Sequence, residues 1–430
     1  MSKISKKTFL EEAEQGFDLR TARAEAARCL LCHDGPCSTG CPAGTDPAKF
    51  IRSLRFGNIK GAAETIRENN ILGGCCANLC PYDRMCEEAC SRTGIDKPIE
   101  IGRLQRFIVE QEQALGMNIL KVPAGAKKGK VACVGAGPAS LACAAQLAME
   151  GAEVTIYEAL PGPGGMLSFG IIPARMPQRM VDFDIEQVKK LGVKFVFNTQ
   201  VGKDITFDKL KADYDAVFVG IGLWSAKLPD VPGKDLKGVV GAVDFLKQAR
   251  ISGGKSDGAQ DVLIIGGGDV TMDCAAAAKL MGAKKVTIVY RRSIEEAPAN
   301  MRELAYIQEM GISMTCEMAP AEILGDGGKV VGMRFESRDG YSRLKLKADK
   351  VVFAIGQALE DAGTGLPLTD KGLIAPCEEG CECGCTSVKG VFAAGDAVNG
   401  GLTVVEAVAH GKEAAASILT YLAGGKGGAK

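Results

Sequence analysis

The sequence predicts an α/β protein in which a cysteine-rich helical domain precedes two strand–turn–helix–strand units. Nine of the 17 cysteines lie between residues 29 and 90. Two glycine turns, at residues 135–137 and 266–268, each follow an apolar run and open an alanine-rich segment. A length of 430 residues exceeds what one core normally holds, so two to four domains are expected.

Charge and hydropathy narrow the class of protein before any motif is considered. The 52 basic and 52 acidic residues balance, so no global field attracts nucleic acid or an anionic membrane. The N-terminal segment is charged, and no run reaches the roughly 18 apolar residues of a membrane span. We therefore expect a cytoplasmic protein that binds neither nucleic acid nor membrane. In that reducing compartment the thiols favour metal or redox chemistry over disulfides.

Two cysteine runs define the N-terminal domain, residues 1–120. RCLLCHDGPCSTGCP is the first run, and the second lies between residues 75 and 90. Each contains a Cys-Pro step, at Cys41 and Cys80, and in ferredoxins the cysteine before proline ligates the other of two clusters. The pattern predicts two 4Fe-4S clusters. Zinc is the rival, although zinc knuckles rarely carry three or four thiols per run.

The spacing also predicts that the two runs exchange ligands. When Cys29, Cys32 and Cys37 surround one cluster, the turn carries Cys41 past it to a second cluster. The second run then returns a thiol to the first cluster, and Cys90 is the expected one. Spacing alone nominates Cys75 or Cys76 as the eighth thiol. The intervening segment PAKFIRSLRFGNIKGAAETIRENN predicts two short helices that hold the runs together.

A dinucleotide-binding unit follows a basic spacer. An apolar strand leads into Gly135-Ala136-Gly137, then an alanine-rich helix and a strand that ends at Glu158. Gly135 permits the tight turn, and Gly137 lets the backbone approach a pyrophosphate at the helix N-terminus. Ser140 replaces the usual third small residue and is still small enough for close helix packing. Glu158 is placed to hold the ribose hydroxyls.

A second unit of the same kind begins at residue 261. Gly266 and Gly268 again form a turn between an apolar strand and a helix, and two such units suggest one flavin and one nicotinamide nucleotide. The next strand ends in Arg291 and Arg292, with no acidic residue. Guanidinium groups suit a 2'-phosphate, so NADP is preferred over NAD. A solvated basic strand end is the alternative.

A third nucleotide-binding pattern lies near the C-terminus. GVFAAGDAVNGGLTVVEAVAHGKEAAASI contains an apolar strand, a Gly-Asp turn and a helix that begins near Thr403. In flavoproteins with two dinucleotide units, the acid of such a turn binds the ribityl or phosphate region of FAD. Asp396 is the candidate, and a simple turn cap is the alternative. The pattern predicts a discontinuous FAD domain, residues 128–239 and 357–430, with an NAD(P)H domain inserted at residues 240–356. Both nucleotide domains are expected to be Rossmann-like.

The sequence also contains the segments RCLLCHDGPC, CPAGTDPAKFIRS, NIKGAAETIRENN, PIEIGRLQRF and FAAGDAV. Together they resemble the NAD(P)-linked subunit of bacterial dihydropyrimidine dehydrogenase and the corresponding half of the single-chain eukaryotic enzyme. The resemblance covers nearly the whole chain. More distantly, the architecture is similar to that of the small subunit of glutamate synthase.

This resemblance implies individual site residues. It assigns one cluster to Cys29, Cys32, Cys37 and Cys90, and the other to Cys41, Cys80, Cys86 and the side chain of Gln105. It thereby leaves Cys75 and Cys76 as packed thiols. The implied flavin contacts are Val134, Gly135, Ala136, Gly137, Pro138, Glu158, Arg175 and Asp396. The implied nicotinamide-nucleotide contacts are Gly267, Gly268, Asp269, Arg291, Arg292 and Gly356.

The resemblance further implies a hetero-oligomeric oxidoreductase. Electrons from NAD(P)H would pass through FAD and two 4Fe-4S clusters to a partner subunit with FMN and its own clusters, which reduces uracil or thymine. A glutamate synthase small subunit or another NAD(P)H-linked reductase subunit is an alternative. A non-enzymatic redox sensor or scaffold is disfavoured by the two nucleotide units. A disulfide reductase would need a Cys-x-x-Cys pair in a nucleotide domain, and the only such pair is Cys29/Cys32.

One cysteine run has no counterpart in this resemblance. CEEGCECGC places Cys377, Cys381, Cys383 and Cys385 within nine residues. Four thiols at this spacing suit zinc or a further cluster. An exposed loop without a metal is the alternative.

Overall fold

The computed structural model describes residues 8–121, 128–360, 362–378, 380 and 383–424. Cys381 of the CEEGCECGC run lies outside the described residues. The chain divides into two compact units. The larger unit comprises residues 14–168, 178–223 and those from 359 onward, and the smaller unit comprises residues 8–13, 169–177 and 224–358.

The described residues contain helices and strands that are numbered here in chain order. The helices are α1 (Leu19–Ala27), α2 (Pro36–Thr39), α3 (Pro47–Arg55), α4 (Ile59–Asn69), α5 (Gly73–Leu79), α6 (Ile101–Ala114), α7 (Pro138–Met149), α8 (Met166–Phe169), α9 (Gln178–Lys190), α10 (Phe207–Asp213), α11 (Ala242–Ile251), α12 (Asp269–Leu280), α13 (Met301–Glu309), α14 (Asp396–Asn399) and α15 (Val404–Leu422). The strands are β1 (Lys130–Val134), β2 (Glu153–Tyr157), β3 (Lys194–Val196), β4 (Ala216–Val219), β5 (Ser225–Ala226), β6 (Val239–Gly241), β7 (Asp261–Ile265), β8 (Lys285–Val289), β9 (Ser313–Thr315), β10 (Met318–Asp326), β11 (Lys329–Ser337), β12 (Arg343–Lys347), β13 (Lys350–Phe353), β14 (Gln357–Ala358) and β15 (Val391–Ala393).

Helices fill the N-terminal part of the larger unit, as the sequence predicts. Helices α3 and α4 are the two short helices expected between the cysteine runs. Each begins at a polar cap, because the side chains of Asp46 and Asn58 accept hydrogen bonds from the backbone N–H groups of Lys49 and Gly61. The buried side chains of Phe50, Ile51 and Leu54 then place one face of α3 in the core.

A buried ion cluster joins these helices to the rest of the larger unit. Arg67 of α4 is fully buried, with its Nε 2.9 Å from Glu112 Oε2 and its Nη1 2.7 Å from Asp184 Oδ1. Burial opposes the charged guanidinium, but Asp184 and Glu112 together raise the pKa of Arg67 above its usual value. Removing one partner would leave an uncompensated buried charge. The cluster therefore fixes α4, α6 and α9 as one body.

The larger unit contains a five-stranded parallel sheet in the order β15-β4-β1-β2-β3. Strand β15 pairs with β4, with Val391 opposite Val217, although more than 150 residues separate them in the chain. The chain thus returns to this sheet after the inserted segment, and the predicted boundaries of the two nucleotide domains stay predictions. Helix α15 packs on α7, and a side chain at Gly411 would overlap the carbonyl oxygen of Ala139.

The smaller unit contains a second five-stranded parallel sheet, in the order β6-β13-β7-β8-β9. An antiparallel sheet, β10-β11-β12, follows β9 in the chain and was not expected from the sequence. Also unexpected is the contribution of residues 8–13 and 169–177. Phe9 lies in the hydrophobic core with Ile172 and Ala174. The longest segment of the smaller unit begins at Trp224, whereas the sequence places the inserted domain from residue 240. Among the described residues, no helix is long and apolar enough to cross a membrane.

Candidate functional site

The larger unit brings four cysteines of the two runs together. Burial, followed by the nearby sulfurs of Cys90, Cys29 and Cys32, raises the pKa of the Cys37 thiol to about 11. Cys90 comes from the second run, so the structure places one of its thiols with the first run, as the crossed arrangement requires. The surrounding loop is held by Arg55 Nη1, which donates to the carbonyl oxygen of Cys29 at 2.6 Å.

A second group of thiols forms around Cys80. A hydrogen bond with the sulfur of Cys76 and burial raise the pKa of Cys80 well above its usual value, and Cys41 and Cys86 contribute further. Cys41 is held by Thr45, whose backbone N–H lies 3.4 Å from its Sγ. The Cys-Pro cysteines of both runs therefore meet in this second group.

The eighth ligand has two candidates, Cys76 on α5 and Gln105 on α6. Cys76 is buried and contacts Cys80. Gln105 is also buried, and its Nε2 donates to the carbonyl oxygen of Gly73 at 2.7 Å, which leaves the amide oxygen as the ligand atom. Cys75 instead lies beside the ion cluster, where its backbone N–H donates to Asp184 Oδ2 at 2.8 Å. Burial and the neighbouring Asp184 raise the pKa of the Cys75 thiol. The assignment of Gln105 stays a prediction.

These thiols fit iron–sulfur clusters. Burial and neighbouring sulfurs raise the pKa values of Cys37 and Cys80, so these two thiols favour the protonated form when no metal is bound. A cationic iron centre favours the thiolate form and relieves the repulsion between the sulfurs. When bound, the clusters would accept and release single electrons.

The first glycine turn has the geometry of a pyrophosphate cradle. Gly135 has φ +90°, and a Cβ there would lie 2.8 Å from the carbonyl oxygen of Gly220. Gly137 caps the N-terminus of α7, which begins at Pro138. Gly165 approaches this turn so closely that a Cβ on it would lie 2.9 Å from Gly137 Cα. A side chain at Gly135 or Gly165 would therefore not fit in the turn that follows Val134, at the end of β1.

Glu158 is fixed beside this turn. Its Oε2 accepts a hydrogen bond from the N–H of Ala136 at 2.6 Å, and its Oε1 accepts one from Leu160 at 2.8 Å. The carboxylate is buried at 7 % exposure. Ser140 is fully buried against Gly220, where any Cβ would overlap the Ser140 hydroxyl. Because residue 220 has no side chain, helix α7 can carry a serine at position 140.

The C-terminal Gly-Asp turn lies in the same unit. Gly395 has φ +75°, and a Cβ there would lie 2.9 Å from Ala139 Cβ, at the start of α7. Asp396 Oδ1 accepts a hydrogen bond from the N–H of Leu402 at 3.2 Å, and burial raises its pKa. Thr403 caps α15 in a reciprocal capping box with Glu406. Asp396 therefore closes a turn, and its proposed flavin contact stays a prediction.

The second glycine turn lies in the smaller unit. Gly266 has φ +150°, and a Cβ there would overlap the carbonyl oxygen of Ala354. A Cβ at Gly267 would overlap the ring of Tyr290, which lies against the turn. Gly268 caps the N-terminus of α12, and Asp269 Oδ1 accepts from the N–H of Asn300 at 2.7 Å. These close approaches suit a dinucleotide phosphate at the helix N-terminus.

The remaining predicted nicotinamide contacts lie at strand ends of the smaller unit. Arg291 and Arg292 follow β8 and are both exposed. Gly356 follows β13 with φ +119°. The exposed guanidinium groups are available to a phosphate, and their role stays a prediction.

Arg175 lies in a buried acidic cluster of the smaller unit. Its Nη1 is 2.6 Å from Asp273 Oδ2, and its Nη2 hydrogen-bonds to Glu303. Burial raises the pKa of Glu303 to about 9, although Arg175 lowers it. The nearby carboxylates of Asp273 and Asp269 also raise the pKa of Glu303, because they repel a further negative charge. The structure thus gives Arg175 two partners that sequence reasoning missed, and its flavin contact stays a prediction.

Sequence reasoning also missed Lys412 of α15. Its Nζ donates to the carbonyl oxygens of Ala43 and Asn69, both at 2.7 Å. Burial lowers the pKa of Lys412, whereas the nearby Cys41 raises it. Helix α15, which Thr403 caps after the Gly395-Asp396 turn, therefore carries a cation to the second thiol group.

Comparisons with known proteins show which families the chain matches. The family described as dihydropyrimidine dehydrogenase domain II with a 4Fe-4S cluster matches residues 5–117, and the pyridine nucleotide-disulphide oxidoreductase family matches residues 129–411. Mycobacterium tuberculosis FprA in complex with NADPH has the same fold, with a TM-score of 0.58 at 21 % identity over 69 % of this chain and 85 % of that chain. Fold and sites thus define an iron–sulfur flavoprotein oxidoreductase that uses a pyridine nucleotide.

Full-length relatives define the family more closely. The NAD-dependent dihydropyrimidine dehydrogenase subunit PreT of Escherichia coli O157:H7 is 44 % identical over 98 % of this chain and 99 % of its own length. The glutamate synthase (NADPH) small chain of Halomonas elongata is 33 % identical over 96 % and 93 %. The chain belongs to the PreT family of dihydropyrimidine dehydrogenase subunits. The predicted family, fold class and cofactor set of FAD, NAD(P) and 4Fe-4S clusters are confirmed.

Proposed function

We propose that the chain passes electrons from NAD(P)H to a partner subunit that reduces uracil and thymine to dihydropyrimidines. The observation that carries this proposal is the path of α15 within the larger unit. Thr403 caps the helix beside the flavin turn, and Lys412 contacts the carbonyl oxygens of Ala43 and Asn69 next to Cys41. One rigid helix thus links a nucleotide site to a thiol group.

The residues of the chain bind and position rather than transfer protons. FAD supplies, when bound, the conversion of a hydride pair into single electrons. Gly135 and Gly137 provide bare backbone for its phosphates, and Glu158 faces the turn from β2. Only two histidines are present in the whole chain, His33 and His410, and the His33 side chain is 98 % exposed. Acid–base machinery of the usual kind is therefore sparse.

A separate substrate subunit is proposed because the two units account for nucleotide and cluster binding. Apolar side chains around the first thiol group supply a docking surface: Leu30, Phe56 and Ile95 are 44 %, 73 % and 65 % exposed. Arg55, beside Phe56, bonds to Cys29, and Arg28 bonds to Asp96, beside Ile95. Exposed apolar groups next to an electron exit suit a partner that carries FMN and its own clusters, in a hetero-oligomer.

The proposal keeps one alternative for the partner complex and one for the nucleotide. The identity to the Halomonas elongata protein makes a glutamate synthase complex the second candidate. For the nucleotide, Arg291 and Arg292 favour NADPH through their charge, whereas the Escherichia coli relative is named NAD-dependent. NADPH is retained as the preferred donor. The cytoplasmic location stays a prediction from the composition.

The test is an anaerobic pull-down of the native chain, followed by NAD(P)H oxidation assays of whatever co-purifies. Uracil, thymine, and glutamine with 2-oxoglutarate are added separately. Pyrimidine-dependent oxidation is the expected result. Oxidation only with glutamine and 2-oxoglutarate would assign the chain to a glutamate synthase complex instead.

Matched variants locate the docking surface in the same pull-down. Phe56→Asp places a charge on the proposed surface and should reduce recovery of the partner. Tyr341→Asp is the control, because Tyr341 is 92 % exposed in the smaller unit. Equal loss of the partner in both variants would remove the argument for docking at Phe56.

A further inference from the structure

A third thiol group lies in the larger unit, apart from the two groups described above. The Sγ atoms of Cys377, Cys383 and Cys385 all lie within 4.8 Å of one another. All three residues are partly buried. Neither the nucleotide turns nor the predicted cluster ligands include any of them.

The backbone holds this group in place. The N–H of Cys377 donates to the carbonyl oxygen of Cys385 at 2.9 Å, and Pro376 and Thr386 form an antiparallel bridge. Gly384 has φ +72°, and its carbonyl oxygen accepts from Ala393 of β15 at 2.8 Å. A Cβ at Gly384 would lie 2.6 Å from Ala414 Cβ on α15. The loop is therefore pressed against a strand and a helix, and its sulfurs are not on a free tail.

The sulfur separation distinguishes one metal ion from a cluster. Zinc–sulfur bonds of about 2.3 Å in a tetrahedron place two sulfurs about 3.8 Å apart. In a 4Fe-4S cluster each thiolate binds a different iron, so the sulfurs lie further apart. Sulfurs that all lie within 4.8 Å match the single ion. Thiolates are also the ligands that zinc prefers in structural sites.

We propose that Cys377, Cys383 and Cys385 form a zinc site that locks the loop before β15. Three thiolates bind the ion, and water or a fourth donor completes the tetrahedron. The ion would cross-link residues 377 and 385 across the loop and hold them against α15. Because β15 leads directly into Gly395 and Asp396, the site stabilises the strand that presents the flavin turn.

The site depends on reduction, because Cys383 is disulfide-bonded in the structure. A dithiol reductant supplies two electrons and two protons, the S–S bond breaks into two thiols, and the reductant becomes a disulfide. Each of the three thiols that then binds zinc releases its proton to water.

The test uses the full-length protein with its cofactors, kept anaerobic. Samples with and without prior treatment by a dithiol are incubated with zinc chloride and desalted, and zinc and iron are measured by elemental analysis. The reduced protein should hold about one zinc per chain more than the untreated protein. Cys377→Ser/Cys385→Ser should lose this zinc and keep its iron. Cys316→Ser, a partly buried free cysteine elsewhere, should keep both.

Two results would overturn the proposal. The first is equal zinc in the reduced wild-type protein and the double variant. The second is additional iron, lost in the double variant, which would indicate a further cluster. If the double variant fails to fold, the wild-type protein provides a second test. Zinc should protect Cys377 and Cys385 from alkylation by iodoacetamide, as measured by peptide mass spectrometry. Unchanged alkylation would contradict the zinc site.

Discussion

The Nζ atom of Lys412 lies 2.7 Å from the carbonyl oxygen of Asn69, 343 positions away in the sequence. The same ammonium group bonds to Ala43 at 2.7 Å, two residues after Cys41. It links helix α15, which follows the Gly395-Asp396 turn, to the second thiol group. A partly buried cation at this position stabilises negative charge on the thiolates of that group.

Lys412→Met should therefore lower the midpoint potential of the cluster that Cys41 ligates, by an amount on the order of tens of millivolts, because net charge and local polarity set such potentials. An anaerobic redox titration followed by EPR measures the shift. Lys412→Arg keeps the charge and should stay near the wild-type value. If both variants titrate like the wild type, Lys412 serves only to pack the helix.

The identity of the eighth cluster ligand can be tested by substitutions at Gln105 of α6 and Cys76 of α5. Gln105→Ala should alter or remove the EPR signal of one reduced cluster, because the amide oxygen is then lost as a ligand. Cys76→Ser should keep both signals and the full iron content. Cys75→Ala, at the ion cluster, controls for packing changes in α5. Loss of iron in Cys76→Ser alone would make Cys76 the ligand and Gln105 a packing residue.

The glycine turn at Gly135 predicts a selective loss of flavin. Gly135→Ala adds a methyl group 2.8 Å from the Gly220 carbonyl oxygen, in a backbone conformation with φ +90°. The variant should purify with little FAD but with normal iron. Gly192→Ala is the matched control, since Gly192 has φ +84° with open space around it, and both variants share a strain of about 1 kcal/mol. Equal FAD content in the two variants would show that the turn at Gly135 is not needed for flavin binding.

The proposed preference for NADPH rests on two exposed arginines, Arg291 and Arg292. Arg291→Gln/Arg292→Gln should raise the KM for NADPH about tenfold, equivalent to about 1.4 kcal/mol, and leave the KM for NADH nearly unchanged. Dye reduction at varied NADPH and NADH concentrations measures both values. Arg343→Gln, an exposed arginine on β12, controls for the loss of surface charge. No change in either KM would contradict the NADP interpretation.

Local sequence patterns predicted the backbone features of the sites. Gly135 and Gly266 stand where a strand must turn sharply into a helix, and α3 and α4 follow from short-range apolar spacing and caps. The antiparallel sheet β10-β11-β12 was missed, although the alternating burial of Lys329–Ser337 reflects a period of two that a closer search would have found.

Tertiary contacts between distant residues could not be predicted in this way. Arg175 meets Asp273 across 98 positions, and Lys412 meets Asn69 across 343. Nothing in the sequence around either residue indicates its partner. The disagreement over the eighth ligand has the same origin, because spacing counts thiols and gives no weight to a glutamine. Cys75 turns toward Asp184 only because α9 packs on α5.

We propose that this chain delivers electrons and does not itself reduce the pyrimidine. Anaerobic NADPH oxidation by the purified chain with its cofactors tests this, once with a one-electron dye and once with uracil alone. We expect rapid dye reduction and no dihydrouracil. Formation of dihydrouracil by the isolated chain, or failure to reduce the dye, would contradict it.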